Sequence, residues 1–440
     1  MFWLKKIKTM KNRYIILATT FCFLLSTFNL VAQVETPGKK QTKKILLLNG
    51  IAHLGNGKII KNAAIAFENG KLTVVANAAA IKIDFNQFDT VIKLNQTQHI
   101  YPGFITPNST LGLTEIGAVR MTHDFSEYGV FKPHVRSIIA YNTESNITTT
   151  VRSNGVLMGQ ITPRSGAISG TSSIVHFDAW NWEDAVIKKD EGVHLNWERM
   201  FSRWNGKPNK NYEKMTAKLN GFFADALAYS KERKHPEQNL RFEAMRGVFS
   251  GEKTLYIHAN FIKEITEAIN FSKKHTVAKM VIIGGYDSWM VTDMLKENNV
   301  AIILKRVHSL PERQEDDVYL SYKIPHKLFD AGVLFCLENA GDMEAMGTRN
   351  LPFYAGTAAA YGMDKEEALK LITLNTAKIL GIDKTVGSLE VGKDATLFIS
   401  DGDALDMRTN DIKTAFIQGR LMDLDNHQKK LYGKYSEKYE

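Results

Sequence analysis

Between residues 254 and 337 the chain alternates strand-like and helix-like segments, and this rhythm restricts the fold more than any other feature. Leu255-Tyr256-Ile257 is a short apolar run. Phe261 to Lys274 then carries apolar residues at 261, 262, 265, 268 and 269, the spacing of one helical face. Met280 to Ile283 reads as a strand ending in Gly284-Gly285, Trp289 to Lys296 as a helix, and Val300 to Leu304 as a strand. A helix through Leu328 and Phe329 precedes a strand from Val333 to Leu337. Strands separated by helical segments form βαβ units, which need a parallel sheet. Repeated over roughly 270 residues, the pattern favours a closed (β/α)8, TIM-like barrel over an open sheet.

The flanks differ in kind. Ile45 to Leu48 ends in Asn49-Gly50, and Ala63 to Phe67 ends in Glu68-Asn69-Gly70 before Lys71 to Val75. Apolar runs split at Asn-Gly are hairpin signals. Asp364 to Leu380 predicts a single helix, capped by Asp364, boxed by Glu367 and ended by Gly381. Strands Thr396 to Ser400 and Thr414 to Ile417 follow. The simplest packing joins residues 44–100 and 388–423 into one small β-sandwich domain beside a barrel of residues 101–387. Residues 424–440, rich in Lys and Tyr, read as a solvated helical tail.

Residues 1–32 are of another type. Lys5, Lys6, Lys8, Lys11 and Arg13 open the chain without an acidic residue, and Tyr14 to Ala32 is almost wholly apolar. This pattern is that of a secretory signal, with Ala32 before Gln33 as the small residue at the cut. An uncleaved anchor is the other reading of such a run. Cleavage leaves no stable membrane anchor, and a periplasm is the simplest destination. Removing those five cations from the net charge of +9 leaves +4, so basicity gives no argument for a nucleic-acid partner. Cys336 is then the one remaining cysteine; no intrachain disulfide forms, and its apolar setting reads as core packing.

Leu48-Asn49-Gly50, Tyr101-Pro102-Gly103-Phe104-Ile105 and the run Gly387-Ser388-Leu389-Glu390-Val391-Gly392-Lys393-Asp394-Ala395 together resemble the amidohydrolase superfamily, most closely its imidazolonepropionase-like branch. Thr373 to Ala377 with Leu380-Gly381, and Arg349 to Pro352 before Ala355-Gly356-Thr357, fit the same likeness, which runs from about residue 44 to 423. The resemblance implies a barrel holding one or two divalent metals, zinc in the resembled family, at the C-terminal ends of its strands. A metal lowers the pKa of bound water, and the hydroxide attacks a C–N bond. Two His separated by one residue on the first strand share a face, joined by His on the fifth and sixth strands and an Asp after the eighth.

The sequence departs from that set. The expected Asp-x-His-x-His reads Thr106-Pro107-Asn108-Ser109-Thr110. Neutral oxygen donors are weak for zinc, which prefers imidazole, thiolate or carboxylate. His258 stands at the fifth-strand position, the sixth reads Gly284-Gly285, and Glu338 or Asp342 is available near the eighth. Residual metal candidates are therefore His258, Glu338 and Asp342, holding no metal or one weakly held divalent ion. Pocket candidates are Asn108, Thr110 and Arg349. No catalytic residue is assigned. His99, His123, His134 and His176 show no ligand spacing with one another. Ser165 to Ser172 lacks the Lys of a phosphate loop and reads as a tight turn beside the pocket. Phe177 to Asp184, with Trp180 and Trp182, reads as a lid anchor or as a wall for an apolar or ring-shaped ligand.

Two functions from different classes remain open. One is an exported hydrolase of C–N bonds in cyclic amides or small peptides, with a reduced metal site. The other is a catalytically inactive barrel that serves as a binding module or as the partner subunit of an intact relative. A small-molecule or peptide ligand fits both, and the sequence sets no oligomeric state.

Overall fold

The computed structural model describes residues 36–202, 206–232, 235–341 and 343–439. The signal reading for residues 1–32 and the candidate Asp342 lie outside the described residues. Among the described residues no helix is long and apolar enough to cross a membrane.

Eight strands form the central sheet in chain order: Phe104–Ser109, Val156–Ile161, Ile168–His176, Val186–Asn196, Thr254–Ala259, Met280–Gly284, Ala301–Leu304 and Phe335–Leu337. The barrel expected from the alternation is present. The third strand is its exception, pairing antiparallel with the second and the fourth. The link before it is the reason. Only residues 162–167 join Ile161 to Ile168, and they turn through Ser165 and Gly166 at positive φ. A parallel return needs a crossover of about a dozen residues or more, which this link cannot provide. The reversal has a consequence for Phe177 to Asp184. His176 lies opposite Met158 near the start of the second strand, so the segment emerges at the end opposite the mouth. Trp180 and Trp182 therefore do not wall the pocket, in contrast to that expectation.

The seam between the eighth and first strands is closed by a third segment. Ile105 N–H donates to the Ile372 carbonyl at 2.9 Å and Leu337 N–H to the Leu371 carbonyl at 3.1 Å. The single helix expected over Asp364 to Leu380 is interrupted for this purpose. It forms as Lys365–Lys370 and Leu374–Leu380, with Leu371 to Thr373 turned to face the seam. Asp364 caps the first half as expected, its carboxylate accepting from Glu366 N–H and Glu367 N–H.

Barrel interior and outer layer are separate cores. Ile105, Met158, Ile174, Tyr256, Ile283, Ile303 and Cys336 fill the interior, with Ala377, Ile379, Leu380 and Val386 packed onto the same cluster. A larger apolar layer, including Phe223, Ile265, Leu295, Leu328 and Leu369, lies between the sheet and the surrounding helices.

Both chain ends build the β sandwich. One sheet has four strands in the order Lys71–Asn77, Ala63–Glu68, Ile45–Leu48, Thr90–Lys93. The other has six: Arg420–Leu421, Ile412–Ile417, Leu397–Ser400, His99–Pro102, Ile51–His53, Ile59–Lys61. In the second sheet His99–Pro102 from the N-terminal half pairs antiparallel with Leu397–Ser400 from the C-terminal end. Leu47, Ile65, Phe67, Ile100, Leu397 and Phe416 make one core between the sheets. The tail forms a helix, His427–Ser436, that buries none of its residues.

Candidate active site

Active sites of such barrels sit at the C-terminal ends of the strands. Here a connected polar network occupies that end, and it begins with a fault in the first strand. Thr106 faces Gly159 and Ser109 faces Ile161, so three steps on one strand match two on its neighbour. Pro107 has no N–H for the ladder. Asn108 takes a left-handed φ of 49°, which Asn tolerates better than most residues. The bulge breaks the simple alternation expected to put 108 and 110 on one face. Asn108 N–H donates to Gln160 Oε1 at 3.0 Å instead of to a backbone carbonyl.

The Asn108 side chain then ties three elements together. Its Nδ2 donates to Glu338, directly after the eighth strand. Its Oδ1 accepts from Arg164 Nη1 at 2.7 Å, and its carbonyl from Arg164 Nη2 at 2.8 Å. Arg164 also pairs with Glu344 at 2.9 Å. Deeper in the barrel, Glu191 accepts from Ser172 at 2.6 Å, Gln160 at 2.7 Å and Tyr256 at 2.8 Å. Because the Ser172 hydroxyl points to Glu191, its lone pair receives His194 Nε2–H at 2.9 Å. His194 Nδ1 is then the acceptor for His258 Nε2–H at 3.2 Å. The chain of bonds fixes both tautomers.

Burial dominates the electrostatics. It pushes the Glu338 carboxyl up to about 8, against the pull of the Asn108 amide and the Arg164 charge. It raises Glu191 too, although three donors favour the anion there. It pushes His258 down to about 3, with Arg164 adding to the effect, and holds His194 well below the ordinary imidazole range. At neutral pH both imidazoles are uncharged, and Glu338 retains its proton over much of that range.

The structure thus brings together Asn108, His258 and Glu338 of the sequence candidates, through Arg164 and the inner network. Thr110 is buried, but its hydroxyl has no hydrogen-bond partner among the described residues. Arg349 is exposed on the short helical turn Thr348–Asn350. Cys336 is fully buried in the barrel interior, its thiol raised by burial. Gln160, Arg164, Glu191 and His194 are not singled out by sequence reasoning, and Ser172 enters it only as the end of the run read as a turn. For His194 a signal existed: Val193-His194-Leu195 repeats the apolar–His–apolar pattern of Ile257-His258-Ala259 one strand earlier. Arg164 gave no such signal, because only the bulge aims Asn108 at it.

The donor chemistry can be tested against a divalent ion. Catalytic zinc takes three protein ligands and leaves one position open. Among the described residues no group of three or more His, Cys, Asp or Glu is arranged to hold a metal. His194 spends both nitrogens on Ser172 and His258, and Glu338 is engaged by Asn108. These residues, as arranged, do not fit a tightly held metal.

Residues 328–422 match the model of the amidohydrolase family. Over 85 residues the chain is 31% identical to an imidazolonepropionase of Fusobacterium nucleatum, a stretch covering 19% of this chain and 21% of that protein. The chain therefore spans about a fifth of the length of the curated relative it matches. An amidohydrolase from Thermotoga maritima MSB8 has a similar structure, with a TM-score of 0.75 at 22% identity, covering 86% of this chain and 100% of that one. A Xaa-Pro dipeptidase with bound methionine gives 0.51 at 14% identity, over 86% and 100% of the two chains. Molinate hydrolase gives 0.53 at 14%, over 88% and 95%. At these identities the structural likeness is one of fold. The family match thus falls on the segment that closes the barrel, and the fold is shared along most of the chain with the Thermotoga maritima amidohydrolase.

Proposed function

We propose that this chain is an exported amidohydrolase-type protein whose barrel mouth receives a cyclic amide or small peptide, at a site reduced from metal ligands to a hydrogen-bonded network. The reading rests on one observation. Asn108 stands at a first-strand ligand position and is bonded to Glu338 and Arg164, so the place of the expected imidazole is taken by protein–protein hydrogen bonds. The substrate class comes from the resemblance, since an imidazolonepropionase and a Xaa-Pro dipeptidase are among the proteins this chain is similar to. Export comes from the basic and apolar start of the sequence.

The chain's own groups suit such a ligand. Glu338, kept protonated by burial, is a hydrogen-bond donor for an amide carbonyl or a departing nitrogen. His258 is half-buried and neutral, with Nε2–H committed to His194. Arg164 supplies a fixed cation for a ligand carboxylate, held in place by Asn108 and Glu344. The second reading, a binding module or partner subunit without turnover, is favoured by the same closed network.

The test uses the mature chain purified without chelators. Elemental analysis is expected to find well under one equivalent of zinc. Dipeptides, N-acyl amino acids and cyclic ureides are then offered with and without added zinc, while release of amine and calorimetric binding are followed together. Turnover abolished by Glu338→Gln supports the hydrolase, and binding without turnover supports the second reading. Stoichiometric, tightly held zinc in the purified protein overturns the reduced site. Intact mass of protein recovered from its host tests export: a mature start near Gln33 is expected, and a soluble species retaining Met1 overturns it.

A further inference from the structure

A cavity lies at the end of the barrel opposite the mouth, where the β sandwich meets it. Its volume is about 590 Å³, within the usual range for small-molecule sites. Lys40, Lys71, His176, Asp394, Gln418 and Arg420 line it. They arrive from five separate segments, Gln418 and Arg420 sharing one hairpin, and none belongs to the network at the mouth.

His176 ends the reversed third strand and is only 2% exposed. Its Nδ1 is buried and has no hydrogen-bond partner among the described residues. A buried imidazole nitrogen left unpaired is unfavourable, and native structures rarely leave such a group without a partner. The ring lines the cavity together with several charged groups. Asp394 accepts from Lys71 and from Gln418 Nε2 at 3.2 Å. Arg420 is anchored on buried Asp178, through Nη1 at 3.1 Å and through Nη2 to the Asp178 carbonyl at 2.8 Å. Asp178 is shared with Arg152, also at 3.1 Å. Three cations, Lys40, Lys71 and Arg420, thus line the cavity with one carboxylate, Asp394, and the excess is positive. Arg420 uses two of its five N–H groups on Asp178, and Lys71, half exposed, keeps donors beyond the one given to Asp394.

We infer that this cavity binds a small oxyanion, the carboxylate or phosphate group of an organic ligand, between Lys40, Lys71, Arg420 and the His176 ring. The anion accepts from the two lysines and the guanidinium, and from the imidazole N–H once the ring presents it. A bound anion also favours the imidazolium, so it opposes the burial that now holds His176 down to about 4. The site is independent of the barrel mouth and does not depend on the activity proposed there.

The mature chain is titrated calorimetrically at neutral pH with inorganic phosphate and, separately, with malonate, while histidine resonances are followed by NMR. Saturable binding that moves the His176 resonances and raises its titration midpoint is expected. The exposed Lys40→Ala change, combined with Lys71→Met, is expected to weaken binding about tenfold or more, close to 1.4 kcal/mol. His176→Phe keeps the ring volume and is expected to weaken it as well. Tighter phosphate assigns the cavity to phosphate-bearing ligands, and tighter malonate to carboxylates. Failure of both anions to bind saturably overturns the inference. So does binding that leaves His176 unmoved, or that is equal in the wild type and in whichever variants fold.

Discussion

His176 also makes a prediction about the empty protein. Its ring is neutral in the folded state, held down to about 4 by burial, against an ordinary value of 6.5 in the unfolded chain. A depressed imidazole contributes stability that is present above pH 6.5 and is lost as pH falls through 4, because the unfolded chain takes up the proton first. The shift corresponds to something on the order of 3 kcal/mol. In phosphate-free buffer the urea midpoint should therefore fall more steeply between pH 6.5 and 4 for the wild type than for His176→Phe. Parallel curves for the two proteins would show that the ring does not titrate as described. In the sequence His176 was one lone histidine among several, since its isolation becomes visible only when the third strand reverses and buries it. His258 and Glu338 were legible because the family pattern marks their strands. The Arg164 contact depends on a left-handed Asn108, and a bulge of one residue has no periodic signal.

At the scale of elements, the inner polar layer depends on how closely the fourth and fifth strands approach. A Cβ at Gly192 would lie 2.2 Å from Tyr256 Cε2 and 2.9 Å from the Thr254 carbonyl oxygen. The Tyr256 ring stacks on His194 at 4.8 Å, and its hydroxyl reaches Glu191, so the ring has little freedom to retreat. Gly192→Ala should cost about 1–3 kcal/mol by overpacking and should pull the tyrosine off Glu191. Chemical denaturation measures the cost, and an unchanged midpoint would mean that the strands slide apart freely. Strand–helix periodicity located the last four barrel strands and the helices between them but misjudged two connections. Ser165 to Ser172 reads as a turn beside the pocket, yet the third strand begins at Ile168, and the pattern does not reveal that a link as short as residues 162–167 reverses the chain. The run from Asp364 to Leu380 has helical periodicity throughout, yet two of its carbonyls are worth more as acceptors for Ile105 and Leu337. Local pattern carries no information about an unfilled seam elsewhere in the molecule.

The β sandwich and barrel were legible as the order β, α/β, β, because a chain that returns to β structure at its end can pair with its beginning. The structure adds how tightly the two parts are joined. His99–Pro102 belongs to the sandwich and Phe104–Ser109 to the barrel, with Gly103 alone between them. Gly103 N–H donates to the Thr396 carbonyl in the sandwich, and the next N–H, of Phe104, to the Gly155 carbonyl at the barrel, both at 2.9 Å. Tyr101, Phe104 and Phe398 pack their rings across this junction, with centroids 4.9 to 6.1 Å apart. No flexible linker lies at this junction to let one part unfold while the other stands, so the two should unfold as one unit. Phe416, 2% exposed and edge-on to Phe67 at 5.0 Å, lies within the sandwich. Phe416→Ala should cost about 3–5 kcal/mol. No tryptophan falls in residues 44–102 or 388–423, and all but Trp3 lie within residues 101–387, so in a chain lacking residues 1–32 tryptophan fluorescence reports on the barrel. If the parts are coupled, the substitution moves the fluorescence midpoint as far as the far-ultraviolet dichroism midpoint. If the sandwich unfolds alone, dichroism shifts while fluorescence stays with the wild type, and the single-unit reading fails.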